Sequence, residues 1–198
     1  MRTRPISILL LIVIAGLSAI LIKSAVLVTA PYIEKNTMRS EQESVLNIFK
    51  IDYTRDTREK IFAKKIKKYA TSSGDIYKYF DPPSKLRGTA FKMKGMGFWG
   101  TITALCALAP DLKTITGFAI LEHTETPGLG GRITDESFLA SFNGKKAIPY
   151  LTFTRRSHNL NDYEIQAITG ATQTSKALER IISDSMQSFL RERVVRQR

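Results

Sequence analysis

Hydrophobic positions fall into three successive patterns along the chain. From residue 6 to 22 every side chain is apolar or small, and after Lys23 the apolar run resumes as far as Ala30. That length suffices for a helix across a bilayer core, which takes about 20 residues. Residues 34–51 then carry apolar side chains at Met38, Val45, Leu46, Ile48 and Phe49. Residues 56–69 carry Phe62, Ile66 and Tyr69 at helical spacing in a background of lysine and arginine. This middle region, 31–80, is expected to be a charged helical connector. Asp81-Pro82-Pro83-Ser84 breaks it and opens a third region, 81–198.

From Ala90 the pattern turns to strand. Residues 99–108 and 114–121 are apolar and β-prone, and 109–113 form a plausible hairpin turn. A glycine-rich loop follows. After it come a short helix at 135–142, a turn at Asn143-Gly144, a strand near 147–153 and another at 163–168. From Ser175 onward Leu178, Ile181, Ile182, Met186 and Phe189 recur at helical spacing, opposite Glu179, Arg180, Asp184 and Gln187. Strands bounded by helices predict an α+β domain with a largely antiparallel sheet, behind a membrane anchor over 1–30.

Charge narrows the class of partner. The 198 residues carry a formal net charge of +12, which favours an acidic partner or an anionic lipid surface. Nucleic acid is not expected, because no paired cysteines and histidines, RNA-binding strand motif or basic region with heptads accompanies the charge. Cys106 is the only cysteine. One chain therefore holds no disulfide and no cysteine-ligated iron–sulfur cluster, and Cys106 reads as a packed thiol in a buried strand. Arg2 and Arg4 ahead of the apolar run predict a cytoplasmic N-terminus with the domain on the far side. A cleaved signal peptide ending near Ala30 is the competing reading.

Two loops carry candidate chemistry. Thr169-Gly170-Ala171-Thr172 precedes the last helix, whose first N–H groups and positive dipole end favour a phosphate. In the plainer reading Thr172 or Thr174 is only an N-cap. The other loop is His123-Thr124-Glu125-Thr126-Pro127-Gly128-Leu129-Gly130-Gly131, where glycines let backbone N–H groups approach a planar ligand. His123 alone reads as a structural hydrogen-bonder and His158 lies far along the chain, so no metal site is expected. No catalytic triad or carboxylate pair is recognisable.

Taken together, the chain resembles the covalent-flavin subunits of two related respiratory pumps. These are NqrC, from the sodium-translocating NADH:quinone reductase, and RnfG, from the Rnf complex. The likeness runs through Gly97-Phe98-Trp99-Gly100, the loop from His123 to Gly131, Phe142-Asn143-Gly144-Lys145 and Thr169 to Thr172. The resemblance implies FMN bound covalently through its phosphate to Thr172, with Thr169, Gly170 and Ala171 completing the acceptor motif. It also implies that Glu125, Thr126, Gly128, Leu129 and Gly130 lie along the flavin, with the Leu129 alkyl group shielding one ring face. The position three before Thr169, often acidic in that family, is Gln166 here.

By the same resemblance, the chain would be an electron-transfer subunit of an Rnf- or Nqr-type complex in the bacterial inner membrane. Its implied partners are polytopic membrane subunits, other redox subunits, membrane lipid and a flavin transferase for maturation. Whether it is an enzyme in its own right is open, since no independent substrate site is evident. Two further readings stand beside this one: a stand-alone anchored flavodomain of another extracytoplasmic electron chain, and a basic non-redox module that binds lipid or an acidic protein.

Overall fold

The computed structural model describes residues 4–72, 74–81 and 85–196. Arg2, invoked for orientation, and Pro82, Pro83 and Ser84, expected as a break, lie outside those residues. The chain divides into two compact units, Met1–Glu41 and Gln42–Arg198.

The first unit is helical, within α1 (Arg4–Ile48). The expected anchor and the expected helix at 34–51 are one continuous element that passes through Pro31. Proline fixes φ near the helical value and removes a single N–H, so the helix continues through it with one internal bond fewer. The large apolar side chains from Ile6 to Val28 are exposed. The stretch Ile6–Ile48 contains a window long and apolar enough to cross a membrane.

The second unit is α+β. Its sheet is a five-stranded antiparallel meander in the order β1 (Ile66–Thr71), β2 (Gly74–Asp81), β3 (Lys85–Met96), β4 (Thr101–Leu108) and β5 (Ile115–Glu122). Here the structure corrects the helical connector. Beyond the end of α1 at Ile48 only α2 (Arg58–Lys65) is helical among the described residues of that region, and Ile66–Thr71 and Gly74–Asp81 form the first two strands of the sheet. Phe62, Ile66 and Tyr69 have helical spacing, but Ile76-Tyr77-Lys78-Tyr79-Phe80 is rich in aromatic and β-branched residues, which favour strand. It pairs in register with 66–71, with Tyr77 fully buried.

Alternation along β4 divides the core. Ile102, Ala104, Cys106 and Leu108 enter a cluster with Leu178, Ile182, Met186 and Phe189 of α4 (Thr172–Arg196). Leu105 and Ala107 point the other way, into a cluster with Val45, Leu46, Ile48 and Tyr77. A strand covered on both faces reads as a near-continuous apolar run, which residues 102–108 are apart from Thr103. The five apolar positions that predicted the last helix are all buried, and Phe189 stacks on Phe91 of β3 with ring centroids 4.8 Å apart.

Between β5 and α4 the chain turns through a 3-10 helix (Gly130–Thr134) and α3 (Glu136–Ala140). The short strands β6 (Thr152–Thr154) and β7 (Glu164–Gln166) follow, paired in parallel. They replace the longer strands expected at 147–153 and 163–168. Pro149 cannot donate to a ladder, and Lys146 makes only an isolated bridge with Thr114.

Candidate functional site

Three loops converge on the N-terminus of α4. The first is the turn at 97–100 leaving β3, closed by a 2.7 Å hydrogen bond from Gly97 N–H to the Gly100 carbonyl. The second is the loop after β5, in which the Thr126 carbonyl accepts from the N–H groups of Leu129 (3.2 Å) and Gly131 (2.9 Å). The third is the segment 168–171, where Ala171 N–H donates to the Ile168 carbonyl at 3.0 Å. Gly170 has φ +83°, a left-handed conformation that costs an L side chain about 1–2 kcal/mol.

Helix α4 begins at Thr172, and its first internal bond runs from Ser175 N–H to the Ala171 carbonyl at 3.0 Å. The N–H groups of Thr172, Gln173 and Thr174 precede that bond, so they have no acceptor within the helix. The structure overturns the N-cap reading of both threonines. Thr172 is the first helical residue, half-buried at the mouth. Thr174 is buried, and its hydroxyl donates at 2.6 Å to Oε2 of Glu125 rather than serving the backbone.

Glu125 joins the loops. Its carboxylate is buried, and Oε1 accepts the N–H groups of Phe98 at 2.8 Å and Trp99 at 3.1 Å. Its own N–H donates at 3.2 Å to Nδ1 of His123, which gives that histidine a structural role. The glycines around it leave no room for side chains. A Cβ on Gly130 would lie 2.6 Å from Thr174 Oγ1 and 2.8 Å from Glu125 Oε2.

These loops enclose an open pocket of about 230 Å³ lined by Glu125, Thr126, Leu129, Gly130, Gly170, Ala171 and Thr172. Seven of the nine residues singled out from the sequence therefore meet in one place. Gly128 is not in the lining; it holds the turn at φ +73°. Thr169 faces a neighbouring hollow of about 210 Å³, with Arg132, Asp135, Ser137 and Gln166. Phe98, Trp99, Gln173 and Thr174 also line the main pocket and were not singled out as site residues. The first two had a legible signal: an aromatic pair bracketed by glycines. Their side chains are exposed and meet edge-to-face, with centroids 5.1 Å apart. Among the described residues, no group of three or more His, Cys, Asp or Glu is placed to hold a metal ion.

An open pocket that joins a helix mouth to a glycine loop and an aromatic turn suits a phosphate-bearing planar ligand. In agreement, residues 97–187 match the family model described as the FMN-binding domain. Among similar proteins, the RnfG-type component of the proton-translocating ferredoxin:NAD(+) oxidoreductase complex of Clostridium ljungdahlii is 41% identical over 91 residues, 46% of this chain and 47% of that one. The NqrC component of the Na(+)-translocating NADH-quinone reductase of Pseudomonas aeruginosa is 28% identical over 120 residues, 54% of this chain and 46% of that one. The chain thus spans about half the length of the curated relatives it matches.

Two solved structures share the fold. The crystal structure of Shewanella oneidensis NqrC aligns with TM-score 0.66 at 21% identity, covering 75% of this chain and 91% of that one. The crystal structure of the corresponding NADH-quinone reductase component from Parabacteroides distasonis aligns with TM-score 0.68 at 18% identity, covering 80% and 94%.

Proposed function

We propose that this chain is a membrane-anchored electron carrier within an Rnf- or Nqr-type complex, holding FMN covalently on Thr172. One observation carries the reading. The Thr172 hydroxyl is the first side chain of α4, half-buried, in the same pocket as the glycine loop and beside three N–H groups that have no helical acceptor. Those donors and the helix dipole suit a phosphate esterified at Thr172 Oγ1. The exposed alkyl group of Leu129 and the rings of Phe98 and Trp99 offer apolar surface to a planar ring system.

Bound FMN supplies one- or two-electron transfer, while the protein contributes orientation, electrostatics and retention. Among the described residues lining the pocket Glu125 carries the one carboxylate, and both of its oxygens are engaged by the protein. That chemistry fits a relay better than an enzyme with a small substrate of its own. Helix α1 would anchor the domain with its N-terminus in the cytoplasm, and the other subunits of the complex would be its redox neighbours.

Co-expression of the full chain with a flavin transferase tests the assignment. The peptide containing Thr172 should gain the mass of FMN less water and keep its flavin fluorescence through denaturing electrophoresis. Thr172→Ser should retain the adduct and Thr172→Ala should lose it. Full flavin loading on Thr172→Ala would sink the proposal.

A further inference from the structure

We infer that Glu125 is a positioning residue. It assembles the pocket before any ligand arrives, acting through Phe98, Trp99 and Thr174 rather than touching the flavin; its link to flavin rests on the function proposed above. The sequence suggests a carboxylate offered to the ligand. In the structure both oxygens are committed to the protein: Oε1 to the N–H groups of Phe98 and Trp99, Oε2 to the Thr174 hydroxyl. With only 3% of the residue exposed, little of the carboxylate is left to reach a ligand. Three hydrogen bonds to one buried side chain, two from backbone N–H groups and one from a hydroxyl, tie these segments together.

What the carboxylate holds has few other supports. Phe98 and Trp99 are 53% and 66% exposed, so no core packs their rings in place. The turn that carries them is fixed through its backbone, by its own Gly97–Gly100 bond and by Glu125. At the other end Thr174 lies in the first turn of α4. Residues 98 and 174 are thus tied to one side chain, and both segments line the pocket that contains Thr172. Gly97 and Gly130 leave space for that side chain, since a Cβ on either would collide with its carboxylate.

If geometry is the function, glutamine should replace glutamate. Its carbonyl can accept both N–H groups, and its amide can donate to a Thr174 hydroxyl turned to accept. Alanine offers neither.

Trp99 is the only tryptophan, so fluorescence reads the turn directly. The first arm measures time-resolved anisotropy of Trp99 in flavin-free full-length protein, made without a transferase. Wild type and Glu125→Gln should share a small fast component. Glu125→Ala should at least double it, and Thr174→Val, which cuts one strut and leaves the Oε1 bonds, should give an intermediate increase. The second arm measures the rate of covalent flavin loading, expected to fall at least tenfold in Glu125→Ala and to stay within about twofold in Glu125→Gln.

A wild-type Trp99 decay in Glu125→Ala overturns the inference, and so does a Glu125→Gln protein as loose as the alanine variant. Should Glu125→Ala fail to fold, Thr174→Val decides, with an unchanged Trp99 decay counting against. Absence of flavin on wild-type protein would refute the flavin reading, yet the anisotropy arm would still decide the role of Glu125.

Discussion

The hydroxyl of Ser175 accepts the N–H of Ile168 at 3.1 Å and donates to the Ala171 carbonyl at 3.0 Å. One side chain thereby folds the segment 168–171 back onto the first turn of α4. Ser175→Ala would leave the Ile168 N–H without its partner in a buried site. The cost is about 1–3 kcal/mol, or a drop of several degrees in melting temperature for a domain of this size. Thermal unfolding of the detergent-solubilised protein checks this, and an unchanged melting temperature would contradict it.

Gly170 separates backbone strain from crowding. Its φ is +83°, while a Cβ there would lie at an ordinary 3.5 Å from Leu129 Cδ2. Gly170→Ala should therefore destabilise by about 1 kcal/mol through the backbone alone. Gly170→Asn should cost less, because asparagine tolerates the left-handed region. Equal losses in the two variants would point to crowding instead.

Asp111 makes the hairpin between β4 and β5 sensitive to acid. Its carboxylate accepts the Thr114 hydroxyl and the N–H groups of Lys113 and Thr114. Those bonds, the Thr114 hydroxyl foremost, hold its pKa below the usual aspartate value. A depressed folded-state pKa gives stability that is present above the unfolded value, about 3.9, and lost as pH falls through the folded one. The melting-temperature gap between wild type and Asp111→Ala should accordingly narrow between pH 7 and pH 3.

Cys106 should behave as an inert thiol. It is fully buried in β4, and burial pushes its pKa far above the ordinary thiol range. A raised folded-state pKa gives stability that is present below the unfolded value, about 8.5, and lost as pH climbs above it. At pH 8 iodoacetamide should leave the native protein unlabelled and label it in urea, since the thiolate is the nucleophile. Rapid labelling of the native protein would contradict the buried assignment.

Where one residue pattern had one physical meaning, the sequence was enough to read it. The apolar run of α1, the stripe from Leu178 to Phe189 and the apolar, β-prone run of β4 are of this kind. It failed at 66–81, where Phe62, Ile66 and Tyr69 keep helical spacing by coincidence and cross-strand pairing decides the outcome. Local reading also could not weigh Thr174 against Thr172. The hydroxyl of Thr174 is claimed by a carboxylate 49 residues away, a partner that exists only after folding. Phe98 and Trp99 were noticed as a motif, but their place beside the helix mouth depends on the same long-range contact.

The meander also fixes an order of assembly. Every pairing in the large sheet joins strands that are neighbours in sequence, so each hairpin can close as soon as its second strand has emerged. The pocket cannot form on that schedule, because the helix that completes it, starting at Thr172, follows all five strands of the sheet. A nascent chain that stops short of α4 would thus own a sheet but no pocket. The arrangement delays any modification at this position until the whole sheet has already been made.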